Sequence, residues 1–563
     1  MKRLQLSCVF GAIALLMATA PANAVLDRTG DFALLDSDGD FHQLSRYQHR
    51  RAVVLMSYSQ SCQGMDAMLS EYMRLQSTFA EENIEFLLLD SQDLDRGALQ
   101  ALDLGLPILE DDGQLISDAL KISQAGDVRV LNPDRISLFY TGAVGTELQD
   151  TLAGVVAGTV RDTVKTENNS TCEISYPAKA ALLADVPEYA TEVAPIIINN
   201  CASCHRQFGA GPFSIDSYVA LLGWSPMIRE VLLNKRMPPA QIDPYIAHSP
   251  NARYVSTSDI QTLLHWLDAG APRGDNPSDP LAEYAYVEPT EWLLGEPDFV
   301  VTAPTQRVPP TGVLDYVYAD VELPFEEDKW VRAIQYRPVA TGALHHLMAF
   351  ITGPDEDFWG EERESTTSTR RFLDGYSPGK PSATVFEEGT ALFIPKGHKL
   401  SMQFHFVGIG VELFDDTRIG FYFADEEEGL KERMVQAVSS RVVLPPNAHD
   451  IPAHAEYVFA EEVVLTGVRA KMNARGKKMK FSVEKPDGSI LDILSIPAYN
   501  YGWQPHYVLE EPVSIPAGSK VHISGGFDNS ISNPFNPDPS LEVQPGLGSS
   551  NEMFTGYLTF YKP

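Results

Sequence analysis

Leu400-Ser401-Met402-Gln403-Phe404-His405-Phe406 alternates strictly, placing Leu400, Met402, Phe404 and Phe406 on one side and Ser401, Gln403 and His405 on the other. A period of two belongs to a β-strand, whose successive side chains point to opposite faces. The pattern recurs from about residue 295 to the end, punctuated by turn signals such as Pro486-Asp487-Gly488 and Pro516-Ala517-Gly518. This half predicts two β-sandwich domains, over 290–440 and 441–563.

Upstream the period changes. Residues 175–275 read as helices: Tyr189–Asn199, then Trp224–Leu233 with Ile228, Val231 and Leu232 apolar, then Ser256–Ala269 with Ile260, Leu263, Leu264 and Leu267 along one face. That last helix has capping residues at its start and Gly270 as its stop. Residues 25–165 alternate strands and helices, with buried-strand runs at Ala52–Met56 and Ile84–Leu89 and helical spacing from Met65 to Phe79 between them. Asp36-Ser37-Asp38-Gly39-Asp40 lacks the glycine offset and final Glu of a calcium loop and predicts a hairpin turn. Polar stretches at 167–175 and 274–280 read as linkers. The expected fold class is multidomain: an α/β domain, an all-α domain, then two all-β sandwiches.

At 563 residues the chain exceeds what one core supports, and three or four domains are expected. Lys2 and Arg3, the apolar run Leu4–Ala20 and Ala22-Asn23-Ala24 form a secretory signal pattern over 1–24, which takes Cys8 with it. No later stretch is long and apolar enough to span a bilayer, so a periplasmic or secreted protein is expected. The net charge of −33 argues against nucleic acid or an anionic membrane as a partner and suits docking to a basic electron donor. Five cysteines are too few for a disulfide scaffold.

Cys201-Ala202-Ser203-Cys204-His205 has the C-x-x-C-H form of c-type haem attachment. Two thiols one helical turn apart add to two vinyl groups, and the next residue offers an imidazole to the iron. A zinc site would need a second cysteine pair, which Cys62 and Cys172 do not supply. A thioredoxin-type redox pair would need neither the histidine nor the helices. Met237, in Lys235-Arg236-Met237-Pro238-Pro239, is the expected axial ligand opposite His205, a pairing that raises the potential and suits electron transfer. In the C-terminal half His345-His346 and His405 stand out, three imidazoles without cysteine that suit copper or zinc. Neighbours on a flat strand face opposite ways, so His345 and His346 share an ion only where the strand twists or bulges.

These motifs carry three resemblances. Residues from Asn200-Cys201 through Gly211-Pro212-Phe213 and Met237-Pro238-Pro239 to Trp266–Pro272 resemble a class I-like cytochrome c domain. The C-terminal half resembles the copper type II, ascorbate-dependent monooxygenases, the family of peptidylglycine α-hydroxylating monooxygenase and dopamine β-monooxygenase. The resemblance implies two jelly-roll-like sandwiches with one copper on each. The first copper is assigned to His345, His346 and His405, and the second, which binds oxygen and hydroxylates a C–H bond, to a His-x-His pair and a methionine matched by Met553. The His-x-His is absent: Lys471-Met472-Asn473 stands there, in a register anchored by Arg475-Gly476-Lys477 and Pro486-Asp487-Gly488. An ammonium and an amide do not replace two imidazoles on copper. The other candidates for that site are His449, His454, His506 and His522.

Residues 25 to about 160 resemble the redoxin domains, peroxiredoxin and thioredoxin-like. Cys62 takes the place of the attacking thiol, Met65 replaces the second cysteine of C-x-x-C, and Gly126-Asp127 replaces the Thr-Pro. Without a local resolving thiol, exchange does not complete within the motif. Cys172 is the alternative partner in a structural disulfide. The expectation is a haem c and copper oxidoreductase with an electron donor or acceptor protein, acting on an unknown small-molecule or peptide substrate. The alternative is an electron-transfer or copper-binding protein without hydroxylase activity.

Overall fold

The computed structural model describes residues 26–563 except 208–210, 240, 285–291, 313, 357–370, 378–382, 425–428, 547 and 549. The expected leader, 1–24, lies outside the described residues. The chain is multidomain: a thioredoxin-like α/β domain, a helical region, then several largely antiparallel β-sheets.

The first domain is built on a sheet ordered Asp27–Arg28, Ser137–Gly142, Val128–Asn132, Ala52–Tyr58, Ile84–Asp90, Ile108–Leu109. Ala52–Tyr58 is buried along its whole length because both sheet faces are covered. Ala52, Val54 and Met56 meet Tyr72 and Leu75 of the helix Met65–Thr78. Val53 and Leu55 point the other way, into a core that also holds Leu233 and Leu264 of the helical region. The expected turn is present: Asp36 Oδ1 accepts from the amides of Asp38 and Asp40, between the strands Ala33–Leu35 and Phe41–Gln43.

The polar stretch 167–175 is not a free linker. Cys172 is disulfide-bonded to Cys62, its carbonyl accepts from Ala125 N, and Ile174 N donates to Ser123 O. Side-chain polarity suggested a loose connection, but the segment is fixed through its backbone and one covalent bond. Likewise in 274–280, the Asp279 carboxylate accepts from the Tyr189 hydroxyl and the Tyr218 amide.

Helical turns run from Tyr189 to Ala202 into the cysteine motif. The helix Tyr218–Leu233 starts earlier than Trp224, capped by Ser217, and passes through Pro226. Ser256 caps Thr257–Asp268, and Gly270, at φ 87°, lets the chain turn away. Trp266 and Leu263 pack with Tyr189, Val193, Ile228 and Leu232.

The first β unit pairs Val317–Glu322, Lys399–Phe406, Leu344–Thr352 and Arg371–Tyr376 in one sheet, with Lys329–Arg337 and Arg418–Phe423 central to another. Leu400, Met402, Phe404 and Phe406 enter the shared core with Val331, Ile334 and Phe421, the face that their alternation predicts. The second unit sets Met434–Ser440, Phe554–Tyr561, Val463–Lys471 and His506–Ile515 against Ile451–Val458, Lys520–Phe527, Gly476–Glu484 and Ile490–Ile496 over one core. Among the described residues, no helix is long and apolar enough to cross a membrane.

Candidate redox site

The strand Leu344–Thr352 pairs antiparallel with Lys399–Phe406, but the register shifts between Leu344, opposite Phe406, and His346, opposite His405. His345 is the extra residue of a β-bulge, which turns it to the same side as its neighbour. The three imidazoles converge through Nδ1, with 2.9 Å between His345 and His346 and 3.3 Å between His345 and His405. His346 and His405 are buried, and His345 is partly so.

Burial holds all three rings in the neutral form. His345 is pushed down to about 3 and His405 to about 4, and His346 lies well below the ordinary histidine value, with Lys471 adding to the effect in each case. Nitrogens that face one another this closely either share protons or aim their lone pairs at a common centre. Nε2 of His346 is buried without a hydrogen-bond partner, so the network is not closed by protein groups alone. Convergent, neutral, water-shielded imidazoles are a donor set fit for copper or zinc.

Aromatic side chains from both β units enclose the cluster. Tyr316 lies 4.9 Å from the His405 ring and 5.7 Å from that of His346, centroid to centroid. From the second unit, Tyr501 stacks on His345 at 5.2 Å and directs its hydroxyl to His405 Nδ1 at 3.4 Å. Sequence reading passed over these tyrosines. Their available signal was the aromatic-dense stretch Tyr499-Asn500-Tyr501-Gly502-Trp503.

The other proposed metal position is differently built. Asn473 is committed as a brace: its Nδ2 donates to the carbonyls of Gly548 and Asn551, and its Oδ1 accepts from Tyr316 at 3.4 Å. Lys471 is buried, with no hydrogen-bond partner for Nζ, which lies 5.7 Å from the centre of the Tyr316 ring. Burial pushes its amine down to about 7. Glu552, pushed up to about 7 by burial, accepts from the amides of Asn473 and Arg475. Met553 follows it, half-buried. The remaining histidines are engaged elsewhere: His506 with the Thr559 hydroxyl, His449 against His49, and His454 with His522. Engaged there, none of them supplies the expected His-x-His pair beside Met553.

In the helical region Cys201 and Cys204 are free thiols, and burial pushes Cys201 up to about 12. A thiol held protonated is a poor metal thiolate but is compatible with a neutral thioether. His205 Nδ1 lies 3.2 Å from the Phe213 carbonyl, a contact that leaves Nε2 as the nitrogen for an iron. Gly211 lets the chain lie on this ring, since a Cβ there would fall 2.7 Å from Nδ1. Met237 is half-buried beyond the helix end, its amide bonded to the Val231 carbonyl. Arg253 links the motif to the second β unit: it donates to Ser203 Oγ at 3.3 Å, and its guanidinium lies 5.6 Å from the Trp503 ring centre.

Cys62 is not a free nucleophile. It is 6% exposed and bonded to Cys172, with Cα atoms 5.6 Å apart. The alternative disulfide reading is therefore the one found.

Residues 25–139 match the family described as AhpC/TSA. Similar solved structures include a hypothetical protein from Sinorhizobium meliloti, 19% identical, covering 26% of this chain and 92% of its own, with a TM-score of 0.23. Peroxidoxin BcpB from Mycobacterium tuberculosis is 17% identical over 25% of this chain and 97% of its own, TM-score 0.20. The thioredoxin domain of a thiol-disulfide oxidoreductase from Bacteroides vulgatus is 11% identical over 24% and 99%, TM-score 0.21. By the family match, residues 25–139 form an AhpC/TSA redoxin domain of thioredoxin-like fold.

Proposed function

We propose that this is an exported electron-transfer protein that carries one c-type haem and one copper, next to a redoxin domain whose thiol is tied up in a disulfide. Cys201 and Cys204 would hold the haem covalently, with His205 and Met237 as its axial ligands. His345, His346 and His405 would hold the copper. Bound there, each group supplies one-electron redox chemistry. The observation that carries the reading is the bulge at His345, which brings three neutral Nδ1 atoms to one buried point.

A second observation ties the two motifs together. Arg253 touches the cysteine loop and the Trp503 ring, and Tyr501, two residues from Trp503, stacks on His345. These side chains give a contiguous, partly aromatic connection between the motifs. Hydroxylation in the manner of the copper monooxygenases would require a second, oxygen-binding copper, and Lys471 and Asn473 do not fit that role. No oxygen chemistry is therefore assigned to this chain. The acidic surface suits a basic redox partner in the periplasm.

Protein matured in a host able to attach haem should contain one iron and one copper per chain. Replacing His345 and His405 by alanine should remove the copper and leave the haem absorption bands intact. Two coppers per chain would favour the hydroxylase reading instead, and absence of haem bands would defeat the proposal.

A further inference from the structure

Ile451–Val458 turns Ala453 and Ala455 into the core, so His454 and Glu456 share its solvent face. Across the ladder Glu456 lies directly opposite His522 of Lys520–Phe527, and His454 is the diagonal neighbour, opposite Ser524. The two imidazole rings are 5.5 Å apart. One nitrogen from each histidine and one Glu456 oxygen all lie within 4.8 Å of one another. Glu484, on the adjoining strand Gly476–Glu484, lies 2.9 Å from His522 Nε2.

We infer that His454, His522 and Glu456 form a solvent-facing site for a borderline divalent transition ion, Zn²⁺, with Glu484 orienting His522. Two imidazoles and a carboxylate are a common donor set for such ions, and a carboxylate behind a ligating histidine fixes its ring. Three ligands on an open sheet face leave coordination positions to water, so this ion exchanges with the medium. The buried cluster of His345, His346 and His405 is shielded from such exchange. Lys520 Nζ, 3.6 Å from Glu456, competes with the ion for that carboxylate. The site does not depend on the copper proposed above, because it uses none of the same residues.

The test is zinc titration by calorimetry on the chelator-treated, haem-loaded full chain, in a background carrying His405→Ala to silence the buried cluster. One zinc should bind in that background, and the His454→Ala, His522→Ala pair should abolish it. Glu484→Gln should weaken binding about tenfold without changing stoichiometry, and Lys520→Ala should tighten it. These are surface positions, and circular dichroism matching the parent confirms that each variant is folded. A stoichiometry unchanged by loss of both histidines would overturn the assignment, as would no zinc binding at all in the His405→Ala background.

Discussion

Lys471 opens the Lys471-Met472-Asn473 stretch that stands where the expected His-x-His pair would be. An ammonium there is 2% exposed, has no hydrogen-bond partner, and adds positive charge beside three imidazoles. Desolvation of such a group is only partly offset by the face of Tyr316 and the carboxylate of Glu552. Methionine has nearly the same volume and no charge to desolvate. Lys471→Met should therefore stabilise the metal-free protein at pH 7, by about 1–3 kcal/mol. The pH dependence follows in sign. The amine titrates near 7 when folded and near 10.5 when free, so between those values the unfolded chain binds the extra proton. Stability of the parent rises with pH across that window and falls again as pH drops toward 7. Its deficit against Lys471→Met should be widest near pH 7 and shrink toward pH 10. Thermal melts at both ends check this, and a gap that ignores pH would mean that the amine is not the source of the penalty.

At the scale of elements, legibility depended on whether the deciding interaction was local. The alternation of Leu400 to Phe406 identified the strand and its core face, because burial there is dictated by the strand's own period. It did not show that Ser401, Gln403 and His405 would be buried too, since their face is covered by residues of other strands, Tyr318 among them, and by the second β unit around His405. Nor did it show the bulge at His345, because register belongs to a pair of strands. The segment 167–175 repeats the lesson, as its polar side chains hide a strap made of one disulfide and a few backbone bonds. Cys172→Ser should free that strap, costing about 2–4 kcal/mol in the redoxin domain. Limited proteolysis should then nick the chain within 167–175, where the oxidised parent resists. Equal resistance in the two proteins would show that the backbone bonds to Ser123 and Ala125 suffice.

Across the whole molecule the helical region acts as a wedge that shares its apolar surface with both neighbours. Leu233 and Leu264 complete one core of the redoxin domain, and Ile242, 2% exposed, is embedded in the core of the second β unit. Next to it Asp243 bonds in both directions: its amide donates to Ser495 O, and its carboxylate accepts from Arg96 Nη1 at 2.6 Å. Arg96 also holds Glu110, and both of its acidic partners are buried, so this is a three-charge knot inside a three-way junction. Removing one acid from such a knot leaves a guanidinium under-compensated where water cannot reach it. The expected loss for Asp243→Ala is about 3–5 kcal/mol. That loss should fall on the junction more than on any single core, because Ile242 keeps its seat while the redoxin domain loses its polar tether to it. Calorimetry should resolve the parent's unfolding, cooperative across the junction, into separate redoxin and β-unit transitions in the variant. A variant that melts as the parent does, in one transition at nearly the same temperature, would mean that the apolar contacts of Leu233, Leu264 and Ile242 couple the modules unaided and that the ion knot contributes orientation alone.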